Sequence, residues 1–128
     1  MKKNTILSLL ALIIFTAFNK PTIPLSDYRD SYVGIYSCKY YKNHLNSENM
    51  LYALDTGWVS ITISKDPLDS VLQIDLGQKN VKAKLINKVL QPYPQKGRYR
   101  GQFFATDSIS LGITSTMASS IRYIGKKK

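Results

Sequence analysis

From Tyr32 onward, apolar residues recur at every second position, the period of a strand with one buried face. In Tyr32 to Lys42, one face carries Tyr32, Gly34, Tyr36, Cys38 and Tyr40, and the other carries Val33, Ile35, Ser37, Lys39 and Tyr41. Trp58 to Lys65 sets Val59, Ile61 and Ile63 against Ser60, Thr62 and Ser64. Ser70 to Leu76 turns Leu72, Ile74 and Leu76 inward and Gln73 and Asp75 outward. Val81 to Val89 reads as one strand, with Val81, Ala83, Leu85 and Val89 opposite Lys82, Lys84 and Lys88. Arg98 to Thr106 places Tyr99, Gly101, Phe103 and Ala105 together. Ile109, Leu111 and Ile113 alternate next, and Ser119 to Gly125 sets Ile121 and Tyr123 opposite Arg122 and Ile124.

Turn chemistry separates these runs. Pro67 interrupts the ladder between Lys65 and Asp69, Gly77 to Asn80 reverses the chain, and Gln91 to Gly97 carries two prolines and a glycine. Asp107-Ser108 reads as a tight turn, and the polar stretch from Asn43 to about Asp55 reads as a loop. No segment here sustains a helical period. The expected fold is all-β: an antiparallel meander of about seven or eight short strands, closed or half-open as a small barrel. Closure would hide the edges of the first and last strands.

The N-terminus follows a different rule. Lys2 and Lys3 precede Ile6 to Phe18, an apolar run without charge, glycine or proline. That is the form of a secretory signal helix, and the run is shorter than the 18–20 or so apolar residues of a permanent span. A lipoprotein signal would place cysteine at Phe18, so lipidation is not expected. The expected organisation is a signal peptide or uncleaved anchor at 1–18, a linker at 19–30, a β-barrel-like domain at 31–125 and a basic tail at 126–128. The expected location is the periplasm or the outside of the cell, with tethering to the inner membrane as the alternative.

Composition narrows the chemistry. A hydrophobic fraction of 44% is that of a globular chain, and a single cysteine excludes an internal disulfide. Cys38 reads as a small inward residue and His44 as a solvated loop residue, although together they would suggest a nucleophilic dyad. The acids are scattered, and no nucleotide-binding, hydrolase or zinc-protease motif is present. No catalytic residue, metal ligand or cofactor is therefore assigned. The net charge of +10 draws attention to Lys82, Lys84, Lys88, Arg98 and Arg100 as a basic surface. An export signal argues against a nucleic-acid partner.

Gly34-Ile35-Tyr36 and Arg122 resemble the calycin group, which includes lipocalins and avidins. Members of that group open the first strand with Gly-x-Trp and pack an arginine of the last strand across the ring. Tyr36 stands here where that group has tryptophan. The resemblance implies a small barrel closed at one end by Gly34, Tyr36 and Arg122. The chain also resembles small exported β-domain proteins of Bacteroidetes type. That likeness rests on Gly34-Ile35-Tyr36, Asp55-Thr56, Lys65-Asp66, Asp69-Ser70-Val71-Leu72 and Asp107-Ser108-Ile109. It implies a fold and an envelope location rather than an activity.

Two readings of function follow. In the first, a non-enzymatic envelope protein holds a small amphipathic ligand or envelope component inside the barrel, contacted by Tyr36, Tyr40, Tyr99, Phe103 and Tyr123. In the second, the basic outer face meets a protein, anionic lipid headgroups or an acidic glycan, with peripheral membrane association as one form of this.

Overall fold

The computed structural model describes residues 25–45, 51–116 and 119–128. The alternating segments become eight strands: β1 (Gly34–Leu45), β2 (Leu51–Lys65), β3 (Val71–Asp75), β4 (Asn80–Ile86), β5 (Val89–Pro92), β6 (Tyr99–Ala105), β7 (Ser108–Thr116) and β8 (Ser119–Lys127). Each strand pairs antiparallel with the next, and β8 pairs back onto β1 to close the barrel. Closure leaves no strand edge to template pairing with another chain. The leader at 1–18 and the first part of the linker lie outside the described residues.

Three segments depart from their sequence reading. The polar stretch from Asn43 to Asp55 was expected to be a loop, but β1 runs on to Leu45 and β2 begins at Leu51. The ladder continues through Asn43 opposite Ala53, with a register shift between Lys42 and Asn43. Backbone pairing needs no apolar face, so a ribbon of this kind carries no alternation to read. The expected strand Val81 to Val89 is split into β4 and β5 by a turn at Asn87 and Lys88, both at positive φ. Two such residues in succession suit the right-handed twist of the flanking strands. Finally, Tyr28–Ser31, inside the expected linker, forms a 3-10 helix.

That helix plugs one end of the barrel. Asp27 caps it, accepting from the backbone N–H of Arg29 at 2.9 Å and from the Arg29 guanidinium at 2.6 and 3.0 Å. The same guanidinium donates through Nη1 to the carbonyls of Asp66 and Leu68 in the β2–β3 turn and of Val71 at the start of β3. Arg29 is buried, and its guanidinium supplies the Asp66 carbonyl and adds a second donor to those of Leu68 and Val71, which also accept from the Val71 and Asp66 N–H groups. Tyr28 donates to the Leu85 carbonyl, and the Lys127 ammonium donates to the Ser31 carbonyl.

Beneath the plug lies the core. Tyr36, Ile61, Leu72, Ile74, Leu90, Ile109 and Leu111 are fully buried. The interior of an eight-stranded barrel is just wide enough for such side chains to fill. Phe103 bridges core and plug, its ring centroid 4.5 Å from that of Tyr32 and 6.0 Å from that of Tyr36.

Candidate functional site

The five aromatic residues expected to contact a ligand divide into two groups. Tyr36, Tyr99 and Phe103 are buried in the core. The Tyr36 hydroxyl lies 2.8 Å from the Tyr32 carbonyl and 3.2 Å from that of Thr106, and burial raises its pKa to about 12. The Tyr99 hydroxyl donates to the Lys82 carbonyl and accepts from the Tyr93 N–H at 3.1 Å. These hydroxyls are committed to backbone. Tyr40 and Tyr123 sit opposite each other on β1 and β8, partly buried. Tyr40 donates to Asp55, which favours the protonated phenol and raises its pKa.

Cys38 is buried against Gly125, and desolvation pushes its thiol up to about 11, so it is neutral and inert at physiological pH. His44 lies at the far end of β1, opposite Ser119. At about 3.3 Å rise per residue the two are about 20 Å apart, so they form no dyad. Among the described residues, no group of three or more His, Cys, Asp or Glu side chains converges as a metal site.

The register also separates the residues expected to close the barrel together. Tyr36 is aligned with Lys127, whereas Arg122 is aligned with Tyr41, five positions further along β1. At strand rise that is about 17 Å, too far for a guanidinium to stack on the ring. The Lys127 side chain instead lies alongside Gly34, and Arg29, which the sequence reading passed over, is the arginine that ties the plug to the barrel.

The expected basic surface divides as well. Lys82 on β4 is paired with the buried carboxylate of Asp66 at 2.8 Å. Asp66 also accepts from the Leu68 N–H and from Gln73, and with Lys82 these hold its pKa down at about 2. Lys84 is exposed on the same strand. Lys88 belongs to the β4–β5 turn rather than to a strand face, beside a hollow of about 380 Å³ lined also by Tyr28 and Tyr32.

Arg98 and Arg100 lead elsewhere. Arg100 on β6 stands opposite Gly112 on β7, and Gly112 stands opposite Arg122 on β8. The two arginines thus flank a glycine in one row across three strands, about 10 Å apart at the backbone. The neighbouring rows supply polar side chains: Gln102 opposite Ser110, Thr114 opposite Ser120, and Ser120 opposite Asn43. Together with Arg98 they line a groove of about 900 Å³ on the outside of the barrel. Among the described residues, no carboxylate pairs with Arg98, Arg100 or Arg122. The outward positions of β1, β6, β7 and β8 carry no Asp or Glu.

Gly112 keeps the floor of this groove open. A Cβ placed there would meet nothing closer than the Arg100 carbonyl at 3.8 Å, and the backbone is not in the left-handed region. Neither packing nor dihedral demands glycine. Gly125 is the contrast, since a Cβ there would strike the Ser37 carbonyl and Cys38 Sγ. Arginine presents a planar fork of donors suited to carboxylate, sulfate or phosphate oxygens, and three around a recess that pair with no carboxylate among the described residues form an anion-holding arrangement. Sequence reasoning found Arg98 and Arg100 but assigned Arg122 to closure and passed over Gly112, because the strand register that joins them is not written in either segment alone. Comparison with protein-family models, curated proteins and solved structures finds no match for this chain.

Proposed function

We propose that this protein is a binding module that holds an anionic ligand in the groove on the outer face of its barrel. Arg98, Arg100 and Arg122 supply the charge, and Gly112 supplies the space. The observation that carries this reading is the row Arg100–Gly112–Arg122, two arginines without a carboxylate partner among the described residues, flanking a floor that the fold does not require to be glycine. The reading keeps the exported location expected from the leader, where the anions in reach are those of the cell envelope. It is preferred to a ligand inside the barrel because three of the five interior aromatics are already consumed by packing and backbone hydrogen bonds.

Inorganic tripolyphosphate, a probe with charge and no other chemistry, tests it by calorimetric titration. Binding is expected to weaken steeply with added salt. The double variant Arg100→Gln/Arg122→Gln is expected to weaken it at least about tenfold, while Lys82→Gln, whose cation is held by Asp66, leaves it nearly unchanged. Equal binding by wild type and the double arginine variant would contradict the proposal.

A further inference from the structure

The lining of the groove selects among anions. Besides the arginines, its outward side chains are the hydroxyls and amides of Asn43, Gln102, Ser110, Thr114 and Ser120, with Val89 as the apolar edge. Each hydroxyl and each amide can both donate and accept a hydrogen bond. A bare phosphate offers acceptors alone, so it would use the arginines and only the donor half of these side chains. A ligand that answers the whole lining carries anionic groups together with many hydroxyls that donate and accept in turn. We infer that the groove takes an acidic oligosaccharide, with Arg100 and Arg122 on its carboxylate or sulfate groups and the hydroxyl and amide side chains on the ring hydroxyls.

This inference rests on the anionic-ligand reading above and narrows it. The spacing favours a chain over a single sugar, because the two arginines stand on β6 and β8 with the whole of β7 between them. The recess also favours a glycan over a bilayer. A membrane surface engages protruding side chains, and the most exposed large apolar residues, Leu25, Trp58 and Phe104 at 99%, 71% and 59%, are not part of the groove lining, to which Val89 alone of the exposed large apolar residues belongs.

The experiment titrates the full chain with a uronic-acid tetrasaccharide, its neutral methyl ester, inorganic tripolyphosphate and phosphatidylglycerol vesicles. Circular dichroism of every variant establishes that the fold is retained. The acidic tetrasaccharide is expected to bind, with its methyl ester at least tenfold weaker. The pair Ser110→Ala and Thr114→Val, made together, is expected to weaken the tetrasaccharide at least about threefold more than it weakens tripolyphosphate. Arg100→Gln/Arg122→Gln is expected to weaken both. If tripolyphosphate binds through the arginines and the tetrasaccharide does not, the glycan inference is overturned and the anionic reading stands. If neither binds, both fall. If vesicles bind instead, with a loss in Trp58→Ala or Phe104→Ala, the face is a membrane surface and the glycan inference is overturned.

Discussion

At the scale of single residues, two glycines on neighbouring strands obey opposite rules. Gly125 faces inward, where a methyl group would collide with the Ser37 carbonyl and the Cys38 sulfur. Gly125→Ala is therefore expected to cost about 2 kcal/mol through overpacking, measured by urea unfolding. Gly112 faces outward over open space. Gly112→Val adds strand propensity worth up to about 1 kcal/mol, so the variant should melt a few degrees higher than wild type. It also fills the groove floor, so it should lose tripolyphosphate binding. A substitution that stabilises the fold while removing the ligand is what a residue kept for function predicts. A Gly112→Val protein that binds as wild type does would show that the floor plays no part. Neither role was legible in the sequence, where both glycines appear as isolated residues in strand patterns. What distinguishes them is which face each occupies and what stands across the ladder.

At the scale of elements, the alternating pattern was enough to place most strands, because one face of each must be apolar when the barrel is filled. Trp58 to Lys65, Ser70 to Leu76 and Arg98 to Thr106 were legible for this reason, and they correspond to the end of β2, to β3 and to β6. The extensions of β1 to Leu45 and of β2 back to Leu51, and the Asn87-Lys88 turn, were not, since no apolar alternation in the sequence marks them. The 3-10 plug was hidden in a segment with two prolines and no period, and its anchor is one charged side chain. Arg29→Ala removes a donor shared by the Asp66, Leu68 and Val71 carbonyls, leaves Asp27 without its guanidinium, and is expected to cost about 3 kcal/mol. The carboxylates of this end make stability depend on pH. Hydrogen bonding by Arg29 lowers Asp27 from 3.8 to about 2, and Lys82, Gln73 and the Leu68 N–H lower Asp66 to the same range. Folded-state values below the unfolded ones mean that this stability is complete above about pH 5 and is lost as the pH falls toward about 2. The melting temperature should therefore drop through that window, and Asp66→Asn should flatten the drop. A melting temperature independent of pH between these limits would show that the two carboxylates are not linked to folding.

At the scale of the whole molecule, the chain carries a net charge of +10, and over the described residues the fold does not spread charge evenly. The plugged end of the barrel pairs cations with acids, as in Lys65 with Asp30 and Lys82 with Asp66. The outward positions of β6, β7, β8 and β1 lack acids altogether. The sum of charges was legible in the sequence, but its concentration on one flank was not. Arg100 and Arg122 come together only because β7 lies between their strands in register. The central claim is that the ligand is held outside the barrel and not within it. Backbone amide NMR during titration with tripolyphosphate tests this most directly. Shifts concentrated at Arg100, Ser110, Gly112 and Arg122 are predicted. Shifts concentrated instead at Tyr40, Leu111 and Tyr123, or none at saturating probe, would contradict it.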